Sequence, residues 1–550
     1  MLLQSTIPVP PPKFHNQNHS PTNFNSLSFS SGLLQNRTFS IKQPVVTVTI
    51  RETHKNSGLI TCSSLSQVHS YGTVDFEKRP MLNWNDMYKK ISMMENPELG
   101  AASVLNQVEN EGKRISKWEL CRMVKELRKF RRFKFALQIY EWMNNRREYY
   151  RITTSDTAIQ LDLIAKVHGI SSAEQYFLKL PEALKDKRIY GSLLNAYARA
   201  RMKEKAEAQM DTLRKRGYAN HALPFNVMMT LYMNLKDHEK IESLVSEMLE
   251  RKIALDIYSY NIWLTMRGSQ GSLEEMEQVF EQMQLDSSIN PNWTTFSTMA
   301  TAYIKLNQIE KADNCLKKVE SIITGRDRIP YHYLISLYGS TGKKDEVDRM
   351  WNVYKSTFSN IPNSGHHTLI SALVRLEDID EAEKRYDEWL SVKSAYDARI
   401  ANLLLTFYVK KGLSDKARTL FDQMIEAGGK PNAMTWEILA EDHIRNTKIP
   451  EALSCLQNAA SAEGSKSWRP RPANVASILK FLQQESDQPN KDILFGILGQ
   501  MGCLDDVNYM SYIPISGGGT VNGNFPEVAD DMVGDSDQVA FPFGQLQESL

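Results

Sequence analysis

The sequence predicts an all-α fold, a right-handed superhelical solenoid of stacked helix–turn–helix units about 35 residues long, on three observations. First, a mostly aromatic anchor recurs at Tyr190, Phe225, Tyr260, Phe296, Tyr331, His366, Ala401 and Trp436, in steps of 35 or 36 residues. Second, the anchor has fixed companions. Tyrosine follows seven residues later at Tyr197, Tyr232, Tyr303, Tyr338 and Tyr408, and alanine sixteen later at Ala206, Ala312, Ala382, Ala417 and Ala452. Third, each unit carries two apolar stripes at helical spacing, divided in mid-unit by breakers such as Gly271, Gly342 and Gly412. Gly217, or Gly428-Gly429 followed by Pro431, closes the unit. A single hairpin cannot bury both stripes, so neighbours must stack.

Taken in order, residues 1–51 contain no acid, few arginines (Arg37, Arg51), much Ser, Thr, Asn and Pro, and no long apolar core. That excludes a secretory signal and fits a transit peptide over 1–62, ending near Ile60-Thr61-Cys62-Ser63. Low arginine and high Ser/Thr point to the chloroplast, with the mitochondrion as the alternative address. Residues 63–82 read as linker. Helical spacing of Met87, Ile91, Met94, Ala101, Leu105 and Val108 makes 83–117 an N-terminal cap. The array of about ten repeats spans 118–470. Its first unit begins near Trp118, with Leu120 at the anchor and Ala136 sixteen residues on. The second is out of register, because Ala173 would place its anchor at Thr157, 33 residues before Tyr190. Residues 471–512 form a degenerate helical C-terminal cap, and the Gly-rich, acidic 513–550 is a disordered tail.

The net charge of +1 conceals a division. Between Lys113 and Gly217 there are 25 lysines and arginines against 12 acids, whereas from Tyr218 onward there are 32 against 45. The exposed-looking run at Lys129, Arg131 and Arg132 suits phosphate contact, since neutralising phosphates releases counterions. The five cysteines are scattered without a C-x-x-C, which suggests neither disulfide framework nor metal site. No apolar run is long enough for membrane insertion. The His366-His367 pair lacks partner ligands, and Gly517–Gly523 lacks the Lys-Ser/Thr of a phosphate loop. No catalytic constellation and no cofactor is expected, so the chain is read as a non-enzyme.

The units resemble the pentatricopeptide repeat family. The match is seen in Ser259 to Met283, in Ile379 to Ala382, and in Lys410 to Trp436 with Gly412, Ala417, Met424, Pro431 and Asn432. Together with the presequence, the resemblance is to the plain, P-type class of plant organellar members. It implies binding of single-stranded organellar RNA, one base per repeat, acting on RNA stability, processing or translation by occupancy. A zinc deaminase domain, present in some relatives, would need H-x-E with C-x-x-C, and neither occurs.

In that family two positions face the groove, the residue after the anchor and the one four before the next anchor. The resemblance therefore implies base-reading pairs Asn226 with Asp256, Asn261 with Asn292, Ser297 with Asp327, and Asn402 with Asn432. Its correspondence assigns uridine, a pyrimidine with cytidine favoured, guanosine, and again a pyrimidine. Leu223, Ile329 and Met434 would wedge against base faces. The units with His332 and His367 are unreadable. A protein–protein scaffold in an organellar ribosome or gene-expression complex is the alternative function, with other organellar gene-expression proteins as partners. Departures at the reading column, Gly191, His332, His367 and Glu437, favour it.

Overall fold

A computed structural model describes residues 84–510, apart from 95–98, 326, 463–467, 486 and 505. All of these belong to one compact unit, residues 71–550. The presequence with Cys62, the linker and the acidic tail lie outside the described residues.

Among the described residues every regular element is a helix, and all but the short Glu182–Leu184 and Val507–Met510 fall into pairs. Trp84–Ser92 pairs with Gly100–Asn110, Lys117–Lys129 with Phe133–Asn144, Thr154–His168 with Ile170–Lys179, and Lys187–Arg199 with Lys203–Lys215. Ala222–Asn234 pairs with His238–Glu250, Ile257–Ser269 with Leu273–Leu285, Trp293–Lys305 with Ile309–Ile322, and Ile329–Ser340 with Lys344–Thr357. The last pairs are Asn363–Arg375 with Ile379–Val392, Ala398–Lys410 with Ser414–Glu426, Ala433–Arg445 with Ile449–Ser461, and Pro472–Gln484 with Gln488–Gln500. From Thr154 onward the first helix of each pair packs on the first helix of the next. The chain is thus an all-α repeat solenoid with a first-helix layer and a second-helix layer.

The helices end where their chemistry requires. Three residues link the two helices of nearly every repeat, and the middle one adopts a left-handed conformation that closes the last turn. Gly271, Gly342 and Gly412 fill that position in three repeats, but Arg131, Arg201, Lys236, Asn307, Glu377 and Thr447 also hold it, at φ of 54–58°. Glycine was thus only part of the signal. The exception is the pair Thr154–His168 and Ile170–Lys179, joined through Gly169 alone. Its first helix is longer by the two residues the link lacks, so the 33-residue step arises later, where the short helix Ile170–Lys179 and its connection reach Lys187 two residues early.

Neighbouring repeats are tied by apolar burial and by a recurring polar contact. Phe225, Met229, Leu264, Leu334, Leu369 and Leu405 are fully buried in one continuous core reaching from Tyr190 to Ile438. Truncating such a side chain costs about 3–5 kcal/mol for Phe and 2–5 for Leu or Met. The tyrosine seven residues after the anchor reaches the preceding second helix: Tyr232 donates to Glu207 at 2.7 Å, Tyr303 to Glu277 at 2.8 Å, and Tyr408 to Glu383 at 2.6 Å. Lys311 and Lys416 of the following second helices pair with the same Glu277 and Glu383. That column therefore fixes the stacking register. The core is not uniform, however. A separate cluster holds Met87 to Leu163, another holds Ala440 to Tyr509, and only Leu161, Ile189 and Leu193 form the buried cluster between the first and the main core.

Candidate nucleic-acid interface

The residues four before the anchors from Tyr190 to Trp436 are helix N-caps, except Asp327, which stands one residue outside the cap Arg328. Asp256, Asn292 and Asn432 each close a capping box with the residue three positions on, Ser259, Thr295 and Thr435. A short polar side chain there satisfies amides that the helix leaves without partners. Capping alone would favour Asp or Asn at these positions, so their recurrence has a structural cause before any functional one.

The residue after the anchor reaches across to that cap. Asn226 Nδ2 donates to Asp256 Oδ1 at 2.9 Å, and Ser259 Oγ donates to Asn226 Oδ1 at 2.7 Å. Asn402 repeats the arrangement, with Nδ2 to Asn432 Oδ1 at 3.3 Å and Thr435 Oγ1 to its own Oδ1 at 2.8 Å. Asn261 makes a variant, donating to Thr294 Oγ1 at 2.8 Å, while Thr294 and Thr295 donate their amides to Asn292 Oδ1. The fourth pair is not joined. Ser297 donates back to the Trp293 carbonyl at 2.8 Å, and exposed Asp327 accepts the Ile329 amide at 3.1 Å.

Burial separates the two members of each joined pair. Asn226, Asn261 and Asn402 are buried, whereas Asp256, Asn292 and Asn432 are half-buried at the surface of the first-helix layer. Asp256 Oδ1 takes the Asn226 amide and the Tyr258 and Ser259 backbone amides, leaving Oδ2 as an unused acceptor. Asn432 Oδ1 takes the Thr435 amide, which fixes its flip and leaves Nδ2 as an unused donor. The hydroxyls Ser259, Thr294 and Thr435 were not singled out from the sequence. Their signal was the Asx-x-x-Ser/Thr and Asx-x-Thr spacing.

The remaining candidates divide likewise. Leu223 is half-buried, Ile329 is exposed, and Met434 is half-buried with Arg471 Nη2 at 3.5 Å from its sulfur. Lys129, Arg131 and Arg132 are exposed at the turn between Lys117–Lys129 and Phe133–Asn144, and among the described residues none has a carboxylate partner. Arg146, from the same basic stretch, is instead paired with Glu109 at 2.8 Å and lies over the Trp142 ring.

The irregular reading-column residues have structural work. Glu437 is buried and accepts from Trp468 Nε1 at 2.9 Å and from the Arg471 amide at 2.5 Å, joining the last repeat to the helix Pro472–Gln484. Burial raises its pKa, and those two donors act in the opposite direction. His332 lies against the Tyr354 hydroxyl at 3.0 Å, and burial holds its pKa down at about 4. Burial pushes the thiols of Cys121 and Cys315 up to about 12 and that of Cys455 to about 11, which makes them poor nucleophiles. Among the described residues no group of His, Cys, Asp and Glu could hold a metal ion, and no helix is long and apolar enough to cross a membrane.

Stacked hairpins with an Asx–hydroxyl network at three of their junctions define a helical repeat protein with polar contact points spaced by its repeats. A family model described as PPR repeat matches residues 188–218, 224–253, 294–322, 366–392 and 400–429, and one described as pentatricopeptide repeat domain matches 243–305. A pentatricopeptide repeat-containing protein of Arabidopsis thaliana is 55% identical over 524 residues, covering 95% of this chain and 97% of its own length. The chain belongs to the pentatricopeptide repeat family, whose repeats are RNA-binding helical hairpins and not catalytic domains. The large ribosomal subunit protein mL101 of the same plant is 34% identical, over 75% of this chain and 84% of its own length. Other Arabidopsis relatives, 32–35% identical, carry "mitochondrial" in their names. A solved structure, the pentatricopeptide repeat protein PPR10 with an 18-nucleotide RNA element, aligns at a TM-score of 0.44 and 14% identity, over 76% of this chain and 64% of that chain.

Proposed function

We propose that this chain is a P-type, sequence-specific single-stranded RNA-binding protein of a plant organelle, acting by occupying its target. The observation that carries this reading is the Asn–Asx–hydroxyl junction, repeated in register at Asn226–Asp256–Ser259 and Asn402–Asn432–Thr435. Its outward atoms differ in the right chemical sense. The free Asp256 Oδ2 accepts, and suits the N3–H of uracil. The free Asn432 Nδ2 donates, and suits the N3 or O2 acceptors of cytosine. Asn261 with Asn292 follows the second pattern, while Ser297 with Asp327 is assigned to guanosine by the family's correspondence alone. Leu223, Ile329 and Met434 would lie against base faces, with Arg471 moving off Met434. Lys129, Arg131 and Arg132 would meet phosphates.

Selection of bound RNAs by the purified protein and by Asn226→Thr tests the reading. The wild type is expected to enrich uridine-pyrimidine-guanosine, two unread bases, then a pyrimidine. The variant is expected to change preference toward a purine at the first position only. Enrichment of no motif by either protein would overturn base reading.

The ribosomal relative favours a second reading, a protein-binding scaffold in an organellar ribosome or expression complex. Migration in a large complex that survives complete RNA digestion would support it over the first. For the address, the names of the relatives favour the mitochondrion over the chloroplast suggested by the low arginine content. A reporter fused to residues 1–80 tests this, with cytosolic fluorescence refuting an organellar address.

A further inference from the structure

Asp162, in the middle of the helix Thr154–His168, lies among three cations. Lys166 Nζ is 2.8 Å from its carboxylate, Arg199 Nη1 is 3.3 Å away, and Arg128 Nη2 is 3.7 Å away. They stand in the last turns of three successive first helices, Lys117–Lys129, Thr154–His168 and Lys187–Arg199. The site is built rather than splayed: the side chains of Lys166 and Asp162 are 6% and 8% exposed, and those of Arg128 and Arg199 13% and 27%. The Phe133 ring backs Lys166 at 4.6 Å, and Arg128 Nε is buried without a hydrogen-bond partner.

One carboxylate for three cations leaves two positive charges in excess where solvent screening is weak. Burial holds the Lys166 pKa below its ordinary value, and Arg199 and Arg128 act in the same direction while Asp162 opposes them. A helix C-terminus attracts a cation on its own, but that does not make three of them converge. Farther along the array, among the described residues, a carboxylate is shared by two cations at most, as Lys317 and Lys343 share Asp313, and none gathers three. The cluster also lies at the break between the first and main apolar cores, where Leu161, Ile189 and Leu193 form the only separate buried cluster described there.

We propose that Arg128, Lys166 and Arg199, held together by Asp162, grip one backbone phosphodiester of the RNA strand without reading its base. This rests on the RNA-binding reading. With one base per repeat and the strand running 5′ to 3′ from the N-terminal repeats, the gripped phosphate lies roughly two nucleotides upstream of the base met by Asn226 and Asp256. The site would thus anchor RNA of any sequence ahead of the reading hairpins.

The test compares two RNAs, one starting at the first read base and one extended upstream by about five nucleotides of either oligo-A or oligo-U, long enough to pass the site at one base per repeat. The full chain is expected to bind both extended RNAs several-fold more tightly than the short one. Arg199→Gln should abolish that gain and flatten the slope of log affinity against log salt by about 0.7. Arg199→Lys should keep most of the gain, and the short RNA should bind all three proteins alike. Thermal melting of each variant verifies folding. If Arg199→Gln binds the extended RNA with wild-type affinity and slope, the proposal is overturned. If the extension adds nothing while inorganic phosphate raises the melting temperature of the wild type but not of Arg199→Gln, the site takes free phosphate and its assignment to the strand falls. Failure of the wild type to bind even the short RNA overturns the RNA reading itself.

Discussion

Asn226 and Asp256, thirty residues apart, share a 2.9 Å hydrogen bond that joins one repeat's first helix to the N-cap of the next. The asparagine is buried, so its amide stabilises the junction whether or not RNA is present. Asn226→Ala is therefore expected to lower stability by about 1–2 kcal/mol, read as a fall in melting temperature of the free protein. An unchanged melting temperature would mean that the junction is not structural. Variants that alter base preference must accordingly be compared at equal fractions folded.

Glu437 serves the C-terminal helices in the same way. Glu437→Ala leaves the Trp468 indole and the Arg471 amide without their acceptor, a cost of about 1–3 kcal/mol. Hydrogen exchange should accelerate across Pro472–Gln484 and Gln488–Gln500 while the helices before Ala433 keep wild-type protection. Uniform acceleration along the array would contradict a local latch.

Thr447 holds a left-handed turn at φ 58°, a conformation that its β-branch disfavours. Thr447→Gly is expected to stabilise the protein by about 1 kcal/mol, measured by denaturant midpoint. Gly412→Ala, at the same place in the preceding repeat, should destabilise it by a similar amount.

His332 provides a pH dependence. Burial, and secondarily Arg328, lower its folded pKa to about 4 from an ordinary value of 6.5, with Asp327 opposing and His367 reinforcing. The unfolded chain therefore takes up a proton first. Stability contributed by the neutral ring is complete above pH 6.5, is lost as pH falls toward 4, and changes no further below that. The loss is on the order of 2 kcal/mol after discounting for partial exposure. His332→Gln should flatten the melting temperature between those limits, and an unaltered profile would show that the ring does not titrate as described.

The hairpins and their stacking were legible because each repeat solves one packing problem with residues at fixed spacing. Tyr232, Tyr303 and Tyr408 mark the register in sequence and hold it in structure by reaching Glu207, Glu277 and Glu383. The second repeat is out of register because the short helix Ile170–Lys179 and its connection bring the next first helix in two residues early, and a shortened second helix leaves no mark in the anchor columns. The interface was only partly legible. Asp256, Asn292 and Asn432 were visible as a column, but a capping role and a reading role demand the same residue types. Which oxygen or nitrogen remains free depends on partners such as Ser259 and Thr435, and these emerge only in three dimensions. The cluster at Asp162 was hidden altogether, because Arg128, Lys166 and Arg199 are brought together by stacking and not by local spacing.

The break in the apolar core between Leu163 and Tyr190 has a mechanical consequence. Two blocks flank a joint whose buried apolar cluster is small and is supplemented by the ionic contacts of Asp162, and ionic contacts yield over short distances once water enters. Tension applied to the two ends of the array should therefore concentrate at this joint. In a single-molecule pulling experiment the array would part there first, before either block unravels, and high salt would lower the force of that first event while leaving the later ones unchanged.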